Sequence, residues 1–202
     1  MSLVPSQSDT FALEGLFKFS LSYRDAGVLT DAYRIRTEIS AEFPKAPPRF
    51  WELDCRIPRK PEYHVNPDDS FCLGSTLRLK KILHDNGNFR DFVRVCLDPY
   101  LYAVTYKLRH GGSFIIGELD HGVAGELADC CNLFGLEAAD STLAALRALS
   151  QKKRISNKKP CPCGCENRLG VCRLHLVLNS FRNVVPRFEY ARMFRTFENR
   201  VH

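Results

Sequence analysis

Residues 17–39 read FKFSLSYRDAGVLTDAYRIRTEI, and the period of this stretch decides the fold class. Phe17, Phe19, Leu21 and Tyr23 fall on one face at every second residue, Arg24-Asp25-Ala26-Gly27 supplies turn chemistry, and Tyr33, Ile35, Thr37 and Ile39 resume the alternation. Two antiparallel strands are expected. Downstream, Pro44, Pro47 and Pro48 exclude ladder donation and helix alike, after which Trp51, Leu53, Cys55 and Ile57 alternate as a third strand that Pro58 and Pro61 close. From Arg59 to Gly74 neither period holds, and Pro61, Pro67, Asp68, Asp69 and Gly74 mark a long irregular loop, a kind of segment that in compact domains often carries function. Helical spacing then takes over. Phe89, Phe92, Val93 and Cys96 form one stripe, and Asp98-Pro99 reads as the N-cap and first residue of a helix through Leu108 that Gly111-Gly112 ends. Val123, Leu127, Cys131 and Phe134 mark a further helix, and Asp140 offers an N-cap for Leu143, Leu146 and Leu149. Strands followed by helices predict an α+β fold, an antiparallel β-meander packed against C-terminal helices.

The chain has 202 residues, 45% of them hydrophobic and 26% charged. These proportions exclude disorder, collagen and coiled coil, and they suffice for one core of about 150 residues with an appendage. No apolar run approaches the roughly 20 residues that span a bilayer, and the N-terminus lacks the basic and apolar regions of a signal peptide. A soluble, cytoplasmic protein with no membrane partner is expected. Nine cysteines, an odd number unevenly spaced, argue against a disulfide framework and for a reducing compartment. The net charge of +6 is divided unequally: from Gln151 onward 12 Lys and Arg stand against 3 Asp and Glu, while residues 1–150 hold 17 against 20. The split suggests a body over residues 1–150, a basic linker over 151–160 (QKKRISNKKP) and a basic, aromatic, cysteine-bearing tail over 161–202. Nucleic acid and an acidic protein face both suit such a tail, and charge alone does not choose between them.

The sharpest functional signal in the body is the loop His64-Val65-Asn66-Pro67-Asp68-Asp69-Ser70-Phe71-Cys72-Leu73-Gly74. A cysteine ending a long loop, with a His and an Asn upstream, has the ingredients of a thiol nucleophile beside polar stabilisers. A thiol of pKa about 8.5 is only slightly ionised at neutral pH, yet that fraction serves thioester exchange, in which one thiol replaces another. The alternative is that Cys72, flanked by Phe71 and Leu73, is a small buried hydrophobe. Cys96, Cys130 and Cys131 lie on apolar helical faces and are read as core, and the string Gly117–Gly122, with His121, as a loop between helices.

The order of strands, then Phe43-Pro44, Pro47-Pro48-Arg49-Phe50, a strand, His64-x-Asn66, Phe71-Cys72-Leu73-Gly74 and helices resembles the ubiquitin-conjugating (UBC) fold over roughly residues 11–110. It is most similar to the bacterial UBC-like proteins encoded beside cGAS-like nucleotidyltransferases in antiphage operons of the CBASS type. The resemblance implies that Cys72 accepts the C-terminus of a modifier protein as a thioester and passes it to an amine, such as a target lysine. It implies that Asn66 orders the loop or steadies the oxyanion, and that His64 is structural. The modifier it points to is a cGAS-like nucleotidyltransferase. Two departures stand out: Val65 replaces the proline of the family's His-Pro-Asn, and Asn66 lies closer to Cys72 than is usual. The N-terminal helix that eukaryotic members offer to activating enzymes and ligases is not expected here.

In the tail, Cys161-Pro-Cys163-Gly-Cys165, followed by Cys172 and His175, packs five soft or borderline donors into fifteen residues. Tetrahedral zinc takes four thiolate or imidazole donors, and a Gly-bearing knuckle lets two nearby cysteines face one ion. The stretch resembles the small SEC-C zinc module, whose pattern Cys-x-Cys-x8-Cys matches Cys161, Cys163 and Cys172. Its fourth donor has no counterpart at positions 173 and 174; His175 is favoured and Cys165 held in reserve. Zinc with four protein ligands is structural, since no position remains for an activated water. Met193, Phe194, Phe197 and Val201 recur at helical spacing, which reads as packing. Phe181, Phe188, Phe194 and Phe197 either fold back onto the body or anchor a partner.

The leading expectation is therefore a UBC-like transferase with a zinc-bearing tail. The chain has no G-x-G-x-x-G and no Walker-type loop, so carboxylate activation has to come from another protein or from a substrate already able to react. The rival readings are a non-catalytic UBC-like binding module, a nucleic-acid-binding protein acting through the tail, and a Cys72–His64 hydrolase.

Overall fold

The computed structural model describes residues 1–5, 9–117 and 122–201, and the chain divides into two compact units, Met1–Gly74 with Ile82–Glu118, and Ser75–Lys81 with Leu119–His202. The first is built on a four-stranded antiparallel sheet in the order β1 (Ser2–Val4), β2 (Thr10–Ser22), β3 (Val28–Ser40), β4 (Arg49–Glu52). β2 and β3 pair from Thr10 opposite Ser40 to Ser22 opposite Val28, and Gly27, at φ 80°, makes the turn a residue with a Cβ would strain. This register puts Phe17 beside Tyr33, and the face carrying Phe19, Leu29, Tyr33, Ile35 and Thr37 is buried. On the other face Arg36 pairs with Glu14 at 2.9 Å and Glu38 at 2.7 Å.

The third strand is shorter than the alternation predicts. β4 stops at Glu52, whose buried carboxylate accepts the backbone N–H groups of Asp54 at 2.7 Å, Arg56 at 2.8 Å and Ile57 at 3.3 Å. Donors that a longer ladder would use are thereby taken. β1 gave no signal in the sequence, because three residues are too few to show a period. After the loop, α1 (Thr76–Asn86) begins; α2 (Phe89–Phe92) runs through a π-helical stretch, Val93–Leu97, into α3 (Asp98–His110). Leu97 already has helical dihedrals, so Asp98 lies inside a continuous helix and is not the N-cap expected of it. α3 buries Tyr100–Thr105; the Tyr33 and Thr105 hydroxyls bond at 2.8 Å, and the Tyr102 hydroxyl donates to the Gly27 carbonyl at 2.8 Å.

The second unit is helical: the start of α1, then α4 (Gly122–Phe134), α5 (Ala139–Leu149), α6 (Lys153–Ser156), α7 (Leu174–Phe181) and α8 (Arg187–Val201). Its core joins Phe134, Leu146, Leu149, Leu178, Tyr190 and Phe197. Asp129 on α4 is fully buried and receives Arg78 Nε at 2.8 and 3.0 Å together with the Ser75 hydroxyl, while Ser75 Oγ accepts the Arg78 N–H at 3.2 Å and so caps α1.

The domain boundary expected after residue 150 falls inside this unit. α4 and α5, placed with the body on composition, share their core with α7 and α8. Residues 151–160 are not a free linker either: α6 lies within them, Ser156 is buried, and Arg182 donates to the Ser156 hydroxyl at 2.7 Å and to the Gln151 carbonyl at 3.1 Å. Of the aromatics considered as anchors, Phe181 and Phe197 are buried and Phe194 packs against the same core, leaving Phe188 exposed. Cys96 and Cys130 are core, as read from their spacing, whereas Cys131 is half-buried. Residues 118–121, His121 among them, lie outside the described residues. Among the described residues no helix is long and apolar enough to cross a membrane.

Phe197→Ala should destabilise the protein by about 3–5 kcal/mol in chemical denaturation, the cost of a buried aromatic cavity. A chain ended at Ser150 should lose amide-exchange protection in α4 and α5, because half of their core goes with residues 151–202; protection at the full-length level would contradict the shared core.

Candidate functional site

Two clusters of reactive side chains stand out, one in each unit. In the first, the chain leaving β4 forms a closed loop. Val65 and Phe71 bridge antiparallel, the Cys72 N–H donates to the His64 carbonyl at 2.7 Å, and the Asn66 N–H donates to the Ser70 carbonyl at 2.8 Å. Phe71 N–H donates to the Phe50 carbonyl at 2.8 Å, fastening the loop to β4. The Asn66 carboxamide donates to Ser70 Oγ at 3.0 Å and to the Phe71 carbonyl at 3.3 Å, and the Ser70 hydroxyl donates to Asp68 at 2.6 Å. Asp68 also pairs with Arg49, and Asp69 with Arg59 at 2.8 Å.

His64, Asn66 and Cys72 thus belong to one ordered loop, as the sequence predicts, and each has a definite setting. Cys72 is half-buried, outside any disulfide, at the loop's closing bond. Asn66 orders the loop through both of its side-chain bonds. His64 is buried, adopts a left-handed backbone at φ 51°, and sets its ring edge-on to Phe114 at 4.5 Å. Tyr100, Asp68 and Ser70 escaped the sequence reading. The Tyr100 ring lies 4.5 Å from Phe71, and its hydroxyl donates to the Tyr63 carbonyl at 3.0 Å; burial pushes its pKa up, so the phenol stays neutral. The Asp-x-Ser spacing, a common turn device, was the available signal for the other two.

The second cluster gathers Cys161, Cys163, Cys165 and Cys172, whose sulfur atoms all lie within 4.8 Å of one another. Cys161 Sγ is 3.2 Å from Cys163 Sγ, which is 3.5 Å from Cys172 Sγ. A tetrahedral ion with metal–sulfur bonds of about 2.3 Å holds its thiolates about 3.8 Å apart, so the arrangement can hold a metal ion. Its frame is a small knuckle. Pro160 and Arg168 bridge antiparallel, the Cys161 N–H donates to the Asn167 carbonyl at 2.8 Å, and Gly164, at φ 78°, turns the chain between Cys163 and Cys165. Cys172 follows a single turn, Leu169–Val171, that leads into α7. The Asn167 backbone N–H, followed by Cys163 and Cys172, lowers the exposed Cys165 thiol to about 7, and burial pushes the Cys161 thiol up.

His175 is not part of this group. It lies on the first turn of α7 with Nδ1 2.7 Å from the Cys172 carbonyl, and Cys165 takes the fourth place. His175 gives way to Cys165 for a local reason: the left-handed Gly164, at φ 78°, turns the chain between Cys163 and Cys165 so that Cys165 faces Cys161 and Cys163.

Compared with protein-family models, curated proteins and solved structures, the chain matches none of them.

Cys165→Ser should abolish stoichiometric metal binding or weaken it at least about tenfold, whereas His175→Ala should retain one ion per chain. Metal-to-protein ratios of chains purified under reducing conditions decide the fourth ligand; equal loss in both variants would restore His175.

Proposed function

We propose that the chain is a ubiquitin-conjugating-like cysteine acyltransferase, with Cys72 as the thioester acceptor. The observation that carries this reading is the placement of a half-buried cysteine, outside any disulfide, at the closing bond of a loop that Asn66 and Asp68 order internally and Phe50 fastens to the sheet. Such a loop holds a thiol without wrapping it in apolar core, which suits a nucleophile better than a structural cysteine. The antiparallel meander preceding the loop and the helices following it agree with the resemblance read from the sequence.

In the proposed reaction the Cys72 thiolate attacks the carbonyl of a modifier already held as a thioester on an activating protein. The new C–S bond forms as the old one breaks, and the other thiolate leaves. An amine then attacks the Cys72 thioester; the C–N bond forms, the C–S bond breaks, and the amine's proton is lost as the thiol is regained. The modifier is proposed to be a cGAS-like nucleotidyltransferase and the acceptor a target lysine, in bacterial antiphage defence. Asn66 keeps the loop in place through both steps, and His64 supports it from below through its carbonyl and its ring.

The four cysteines of the second unit are proposed to bind zinc. Four thiolates favour a borderline-soft divalent ion, and an ion with four protein ligands organises the chain without performing chemistry. Zinc would tie the knuckle to the start of α7, and its binding free energy would be in large part folding free energy of residues 157–173.

The deciding experiment is intact mass of the protein recovered with its native partners, before and after thiol treatment. A thiol-labile adduct on the wild type, lost in Cys72→Ala and converted to a thiol-stable oxyester in Cys72→Ser, is expected. Undiminished conjugation by Cys72→Ala would overturn the assignment.

A further inference from the structure

The second unit exposes a band of cations that neither the thiol chemistry nor the metal centre uses. Lys152, Lys153 and Arg154 lead into and begin α6, and all are exposed. Lys158 and Lys159 follow and are joined to the knuckle by backbone bonds from Leu169 to the Lys159 carbonyl at 2.9 Å and from Gly170 to the Asn157 carbonyl at 3.0 Å. Arg168 stands opposite Pro160 in the bridge, and Arg173 comes directly after Cys172. None of these seven cations makes an ion pair among the described residues, and the one acidic residue in the stretch is Glu166.

Counter-charge for the thiolates does not account for them. Four thiolates on a divalent ion carry a net charge of −2, and Glu166 adds one more negative charge. Seven cations exceed that demand by four. The surplus is a standing positive field on a solvent-facing surface.

At the other end of the band the Arg182 bonds to Gln151 and Ser156 bring the C-terminal end of α7 alongside. There a shallow groove of about 640 Å³ is lined by Ser150, Arg182, Pro186, Arg187, Phe188 and Ala191. Arg182 is half-buried and donates only to neutral groups, and its Nε has no partner among the described residues. Phe188 is 68% exposed and lines the groove together with Arg182 and Arg187. An acidic protein would satisfy the cations. A planar, anionic, repeating ligand satisfies the cations and the exposed ring together.

We propose that this face binds single-stranded nucleic acid, with phosphates along the cations of residues 152–173 and a base stacked on Phe188 at the groove. A flexible strand can follow the band and still turn a base onto the ring, which a paired duplex cannot do without opening. The binding is independent of Cys72.

The test is fluorescence anisotropy of the full chain, kept reduced, with labelled oligo-deoxythymidylate of about 20 nucleotides, a duplex of the same length, and polyglutamate as competitor. Binding to the oligonucleotide should weaken with salt at a log–log slope of about −0.7 per phosphate engaged. The charge reversal Lys158→Glu/Lys159→Glu should flatten that slope by about 1.4, the share of two contacts. Phe188→Ala should cost about fivefold or more on the single strand, the smallest effect of losing a stacked base. Cys72→Ala should bind unchanged, which separates this proposal from the thioester reading. All substituted band residues are exposed, and matching thermal unfolding verifies the fold of each variant. The proposal is overturned if the oligonucleotide does not bind at low salt, if Phe188→Ala leaves its affinity intact, if the duplex binds more tightly, or if polyglutamate competes as well as the unlabelled strand.

Discussion

The buried carboxylate of Glu52 governs how the sheet gives way to the reactive loop. A carboxylate taken out of water is tolerated only when its lone pairs are filled, and three backbone N–H groups, of Asp54, Arg56 and Ile57, fill them. The same three bonds stop the ladder, since donors bent toward a side chain are lost to a neighbouring strand. The chain therefore leaves β4 early and returns, with Phe71 donating to Phe50 and Cys72 closing onto His64. A strand continued to Ile57 would have shortened the loop and moved its closing bond. Polar satisfaction at one residue thus determines where Cys72 can stand.

The alternation of β2 and β3 was legible because one face is buried and the other charged, a pattern of period two sustained over two long strands. The loop was legible from its prolines and its lack of period. Its internal order was not, since the bonds that hold it join Asn66 to Ser70 and Phe71 and depend on a backbone path no period announces. The fourth metal donor failed for a related reason. Spacing along the chain favoured the residue nearest the expected offset, whereas the left-handed turn at Gly164 carries Cys165 back to Cys161 and Cys163.

Composition misplaced the domain boundary in an instructive way. QKKRISNKKP is polar and ends in proline, the usual dress of a linker. Yet burial was decided by two small or neutral contacts within it: Ser156, which accepts Arg182, and the Gln151 carbonyl, which accepts the same guanidinium. The lysines and Arg154 around them stay in solvent. A short helical turn can expose nearly all its side chains and still be packed through one, so average polarity says little about whether such a segment is free. The aromatic stripe of α8 gave the truer signal, because Phe197 and its neighbours need a partner surface, and α4 and α5 supply it.

The cysteine knuckle and the cationic band share a backbone, and this makes their physics inseparable. Residues 157–173 hold little regular structure beyond the turn Leu169–Val171; a set of backbone bonds, those accepted by Asn157, Lys159 and Asn167 among them, and the convergence of four sulfur atoms define their path. The cations along the segment repel one another. A divalent ion held by the four thiolates would place negative charge at the centre of the cluster, offset part of that repulsion and hold the cations in one arrangement. Preorganised charge binds a polyanion at lower ordering cost than the same charges on a loose tail. A four-cysteine site that held an ion through four protein ligands would therefore suit the task of keeping a basic surface in shape.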